Sequence, residues 1–188
     1  MNKALLVIDF IKDIAHPDGR IAASAAHVVE QDAIAHANQA LAHARTHGWL
    51  VVLIKVGFDG GYQLQPKGSP MFGRAHQFGG LSLTDPGTDF HPELDVQPGD
   101  LVLAKPRVSP FYGTALEPAL RANHIDHLYL CGVSTSWAIQ AAAREGHDRD
   151  YAITILEDAC AAADANEHHA SLRMLGRIAE ICKVAQLA

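Results

Sequence analysis

Asp9 closes the apolar run ALLVID, Lys105 follows DLVLA, and between Leu128 and Ala142 the run LYLCG breaks into VSTSW before an alanine-rich AIQAAA. These are residue types that do acid, base or acyl chemistry, placed at the ends of strand-like segments. In a parallel sheet, ligands collect where a strand's carboxyl end turns into a helix, because the first N–H groups of the helix are unpaired and point outward. A carboxylate between Ile8 and Phe10 is costly to keep ionised unless a cation or several donors meet it. An exposed strand-end aspartate capping a turn accounts for Asp9 equally well when it is taken alone. A lysine at a buried strand end needs a carboxylate in turn, and doubly wound topology brings Lys105 to the edge that carries Asp9.

Other residues near these positions have blander readings. In KPRVSPF an extended chain would set Lys105, Arg107 and Ser109 on a common side, although two prolines disturb that alternation. Arg107 reads as a surface or salt-bridged residue, or as a clamp for a substrate carboxylate. Glu157 and Asp158 in LEDACAA read first as a cap for the following segment. Cys131, Cys160 and Cys182 form no CxxC pair and sit in or beside apolar segments, as buried reduced thiols do. The 12 histidines show no HExxH, HxH or zinc-type spacing, so neither a metal nor a cofactor is expected.

Positioning these residues falls to an alternation of short apolar runs and longer helical stretches. Strands buried on both faces are expected at Ala4–Asp9, Leu50–Val56, Asp100–Ala104, His127–Cys131 and Tyr151–Leu156, with a weaker sixth at Glu180–Val184. Helices are expected at Ala25–His47, Thr114–Asn123, Ala138–Asp150 and Asn166–Arg177. This is the pattern of an α/β fold with three layers, a Rossmann-like parallel sheet covered by helices on both faces. Gly57 to Gly99 breaks the rhythm, being rich in Gly, Pro and polar residues with one short helix near Met71–Gln77. Connections of that length inside a compact domain are usually functional, often a lid or a subunit contact, and otherwise a mobile surface excursion.

Composition sets the outer limits. A chain of 188 residues, 48% hydrophobic and 19% charged, suits one domain over residues 1–188. A net charge of −6 without a basic stripe argues against nucleic acid or an anionic membrane as partner. MNKALLVIDF is apolar too briefly for a signal peptide, and no run approaches membrane-spanning length, so a cytoplasmic protein is expected.

Taken in series, LLVIDF, HPEL before LVLAKPRVSPFYGTALEPALR, GVSTSW and YAITILEDACAA resemble the isochorismatase-like, or cysteine hydrolase, superfamily over nearly the whole chain. The resemblance implies a six-stranded parallel Rossmann-like sheet in a homo-oligomer, dimer or tetramer, and a small-molecule substrate. Most members hydrolyse a C–N bond with an Asp–Lys–Cys triad, in which the thiol attacks a carbonyl and the carboxylate carries its proton. Asp9 matches the family Asp and Lys105 the family Lys. The family turn reads G-V-x-T-x-x-C, and Gly132, Val133, Ser134, Thr135, Ser136 and Trp137 fill its first six places. Ala138 occupies the nucleophile's place. A cis peptide between Val133 and Ser134, with nearby N–H groups forming an oxyanion hole, is also implied. The nicotinamidase metal pattern has no counterpart in Val56–Tyr62.

Three functions follow from that departure. One is a cysteine-independent hydrolase in which protonated Asp9 gives its proton to a vinyl-ether carbon, with Lys105 as electrostatic partner; true isochorismatases carry Gly at the nucleophile position. Another uses Ser134, Ser136 or an activated water against an amide or ester. The third is an inactive family member that binds a small molecule or serves a structural role. Phe10, Arg107, Ser134, Thr135 and Trp137 are the expected substrate contacts, with Phe72 and Phe111 as further pocket aromatics.

Overall fold

The computed structural model describes residues 2–187, so the two ends of the expected domain, Met1 and Ala188, lie outside the described residues. Six strands form one all-parallel sheet: β1 (Asn2–Ile8), β2 (Leu50–Val56), β3 (Leu101–Lys105), β4 (Ile125–Val133), β5 (Ala152–Ala161) and β6 (Glu180–Cys182). Their spatial order is β3-β2-β1-β4-β5-β6. The chain steps outward from β1 to β3, crosses back, and steps outward again from β4 to β6. Right-handed crossovers in opposite directions place helices on opposite faces, which gives the three layers.

The helices are α1 (Lys12–Ala15), α2 (Ala25–Glu30), α3 (Ala33–Thr46), α4 (Leu116–Ala122), α5 (Gln140–His147) and α6 (Ala165–Leu175). The single helix expected over Ala25–His47 is two, because Asp32 adopts a left-handed φ of 50° between α2 and α3. Alanines 33, 37, 40 and 44 line the buried face of α3, and their small side chains let the helix lie close on the sheet. The expected start of α5 at Ala138 is replaced by a π-helical turn, Thr135–Ile139, from which α5 continues. Near Met71–Gln77 only Ala75–Gln77 is helical, as one 3-10 turn. Strand β5 runs five residues beyond the expected Leu156, so Glu157 and Asp158 lie inside it, where its register against β4 shifts.

Leu5, Leu6 and Ile8 on β1 are fully buried, as expected of a central strand covered on both faces. Residues 57–99 form no strand of this sheet, yet their Phe58, Ala75 and Leu81 pack with Ile11 and Val56 into a second apolar cluster. Among the described residues no helix is long and apolar enough to cross a membrane.

Candidate active site

The strand order reverses between β1 and β4, and at such a switch point the carboxyl ends diverge and leave a crevice. The register pairs Ile8 with both Ile54 and Gly132, and Val56 with Lys105. Asp9, Val56, Lys105 and Val133 therefore stand along one edge. The closeness of β1 and β4 there requires glycine at 132: a Cβ would lie 2.0 Å from the Ile8 carbonyl oxygen, and its φ is +131°. Asp9 itself has a left-handed φ of 58°, which aspartate tolerates better than most residues.

Asp9 and Lys105 meet as the sequence expectation required. Lys105 Nζ lies 2.7 Å from Asp9 Oδ2, with the side chains 1% and 5% exposed. Lys105 also donates to the carbonyls of Arg107 and Val108, at 3.2 and 3.0 Å. An ammonium has three protons, so these three acceptors take all of them. Asp9 is less filled: Oδ1 accepts the Val56 N–H at 2.7 Å and Oδ2 accepts Lys105, while an ionised carboxylate can accept about four hydrogen bonds. Burial pushes the Asp9 carboxyl above its ordinary value, against the opposing pull of Lys105. Lys105 is a fixed countercharge, and Asp9 is the member with capacity left for a ligand or a proton.

Both residues line a cavity of about 240 Å³. Val133, Ser134, Trp137 and Ala138 of the turn form one side. Met71, Phe72, Ala75, Phe78 and Leu81 from the long connection form another, and Ile14, Ile21, Ala23 and Ser24 from the segment after β1 a third. Of the wall from 71 to 81 the sequence pointed only to Phe72; the apolar residues at 72, 75, 78 and 81 recur every third position within a polar stretch. Its seat is polar, with Leu81 N donating to Asp13 Oδ2 at 2.8 Å and Arg20 donating to Gly79 O and to the Asp85 carboxylate at 2.9 and 2.7 Å.

The other expected site residues divide. Ser134 and Trp137 line the cavity, Ser134 Oγ lies 3.2 Å from Ser136 Oγ, and the Val133–Ser134 peptide is cis. Thr135 does not line it. Its hydroxyl bonds His168 Nδ1 at 2.8 Å, and His168 Nε2 faces Gln31 Nε2 at 3.4 Å. Because an amide nitrogen only donates, His168 accepts from Gln31 and gives its Nδ1 proton to Thr135. Burial lowers His168 to about 4, with the nearby His27 adding to the shift. Phe10 is also corrected: the chain bends after Asp9 and buries that ring in the core. Arg107 donates to the Leu64 and Pro106 carbonyls at 2.9 and 2.6 Å, tying its loop to the long connection. Ser109 does not share a side with Lys105; it bonds Glu145 on α5. Phe111 packs against Tyr151 and Arg149. Asp158 accepts the Val184 N–H at 2.9 Å, which makes it a brace for the C-terminal turn.

No cysteine lines the cavity among the described residues. Burial raises Cys160 to about 12 and Cys182 to about 11, and lifts Cys131 well above its ordinary value. A thiol held protonated is a poor nucleophile. Among the described residues no group of three His, Cys, Asp or Glu is placed to hold a metal ion.

Comparison with known proteins agrees with this fold. The isochorismatase domain pattern matches residues 3–186. The ureidoacrylate amidohydrolase of Enterobacter sp. (strain 638) is 32% identical over 171 residues, covering 84% of this chain and 74% of that protein. The solved structure of N-carbamoylsarcosine amidase from Thermoplasma acidophilum superposes with a TM-score of 0.78 at 27% identity, over 100% of this chain and 99% of that one. An isochorismatase family protein from Desulfovibrio vulgaris shares the fold at a TM-score of 0.88 and 21% identity, over 98% and 95% of the two chains.

Proposed function

The chain belongs to the isochorismatase family, and from that premise we propose that it is a hydrolase working without a cysteine nucleophile, with Asp9 as its proton carrier. The observation that carries this reading is the Asp9–Lys105 pair facing a cavity in which position 138 is alanine and no thiol is in reach. Acyl transfer through a thioester needs a nucleophile that this lining lacks. Proton transfer needs only an acid whose pKa is lifted toward the working pH, and burial moves Asp9 in that direction.

The reaction class that fits is hydrolysis of an enol ether. Protonated Asp9 gives its proton to the terminal alkene carbon, and the C=C electron pair forms that C–H bond. The adjacent carbon becomes an oxocarbenium ion, which water attacks. The water's surplus proton returns to the Asp9 carboxylate, and the hemiketal collapses to a ketone and an alcohol. Lys105 holds the carboxylate through the cycle from fixed contacts, which limits reorganisation at the moment of proton transfer.

The test is turnover against a panel of enol ethers, amides and esters across pH. As general acid, Asp9 makes the rate fall as pH rises through its raised pKa; as general base it makes the rate rise instead. Asp9→Asn is expected to cut turnover by about 100- to 10,000-fold, the range of a lost general acid or base. An Asp9→Asn variant that keeps the wild-type rate contradicts the reading, and wild type that binds ligands but turns over none of the panel favours the inactive binding protein.

A further inference from the structure

We propose that the cavity beside Asp9 selects small, uncharged, largely apolar molecules with one polar group, and rejects acids. This rests on reading the cavity as the substrate site.

The first argument is the absence of an available cation. A buried carboxylate must be met by a positive charge or several donors, or remain in water. Among the described residues Lys105 is the one Lys or Arg in the lining, its protons are all taken, and its charge is matched while Asp9 is ionised. Arg74 belongs to the wall segment but is exposed and lies outside the lining, and two cations of the flanking segments are held by other groups. Arg20 is held by Asp85 and Gly79, and Arg107 by two backbone carbonyls. An acid group entering would meet the Asp9 carboxyl and two serines, Ser24 and Ser134. When Asp9 is ionised the two carboxylates repel one another; when it is protonated, Asp9 offers a single O–H, and the Lys105 ammonium, tied to backbone carbonyls, acts on the acid only through its charge.

The second argument is the way in. Met71, Phe78 and Trp137 line the cavity and are 46%, 48% and 56% exposed, so they form an apolar mouth. They come from the long connection and from the turn after β4, two segments distant in sequence. Large apolar side chains left in water around one opening favour a guest that buries them, at about 25 cal/mol per Å² of apolar area covered. A guest with its polar group inward on Asp9 and its apolar body at this mouth satisfies both ends. For the hydrolase reading, the enol ether is then a neutral one without ring or side-chain carboxylates.

Three probes of similar shape decide the matter by titration calorimetry at pH 7: benzamide, benzoate and phthalate. Benzamide is expected to bind at least about tenfold more tightly than benzoate, a difference of about 1.4 kcal/mol, and phthalate to show no heat of binding. Met71→Arg, at the exposed mouth where the fold tolerates charge, is expected to shift the preference toward benzoate by a similar factor. Benzoate or phthalate binding as tightly as benzamide overturns the proposal, as does failure of all three to bind. So does an unchanged preference in Met71→Arg, because the missing cation would then not be the cause. The two readings fail separately: binding of benzamide without turnover of any substrate sinks only the hydrolase reading, whereas turnover of a dicarboxylate enol ether sinks only this one.

Discussion

The sheet carries an ion pair at each edge, and the two are built differently. At the amino edge Arg45, near the end of α3, reaches Asp95 at 2.6 Å and Asp100 at 2.7 Å, and a second nitrogen on each contact closes the fork with the Asp95 carbonyl and the other Asp100 oxygen. Asp100 also takes the Gln97 N–H at 2.9 Å. At the carboxyl edge Lys105 is as fully engaged as Arg45, but Asp9 has two hydrogen bonds and an apolar cavity in front of it. A saturated pair against solvent is a brace. A buried carboxyl that keeps acceptor capacity, with its pKa raised by burial, is the group that the proposed hydrolysis uses.

Removing the cation at each edge separates these roles. Lys105→Met leaves Asp9 buried without its partner and is expected to destabilise the fold by about 3–5 kcal/mol in urea denaturation. Adding Asp9→Leu to that variant should recover most of the loss, since a matched apolar pair of similar volume is tolerated where a lone charge is not. A Lys105→Met protein of wild-type stability would make the carboxyl edge no different from a surface contact. Arg45→Ala should cost about 1.5–3 kcal/mol, the size of hydrogen bonds to charged groups, and should leave benzamide affinity unchanged. An altered affinity would break the distinction between brace and site.

Acid sharpens the comparison from the other side. His168 holds the hydroxyl of Thr135, three residues before Ala138, and its folded pKa is lowered from 6.5 to about 4. Between those values the unfolded chain binds the proton and the folded chain does not, so this contribution is complete above pH 6.5 and is lost as pH falls toward about 4. Melting temperature should therefore fall over that window, and His168→Gln should flatten the slope. Burial also lowers His91 and His127, which adds slope of the same sign, so the variant removes only its own part. An unchanged slope in His168→Gln would mean that the turn is not held through this histidine.

The amino-acid pattern was enough for the parallel sheet and its order of elements, because strands covered on both faces must be continuous apolar runs and ALLVID, LVVLIKV and HLYLC are such runs. It was also enough to pair Asp9 with Lys105, since each is a charge at the end of a buried strand and neither is stable there alone. Position 138 is alanine whatever the fold. Tertiary structure alone decided which neighbours of those residues face the cavity. Phe10 and Thr135 adjoin cavity residues in sequence yet point into the core and toward His168, because a left-handed residue at Asp9 and a π turn after Ser134 rotate them away. The wall at Met71, Phe78 and Leu81 likewise follows from where Asp13 and Arg20 anchor a connection that contributes no strand to the sheet. Local pattern records burial along a strand; it does not record which distant segment a polar anchor will pull across the strand ends.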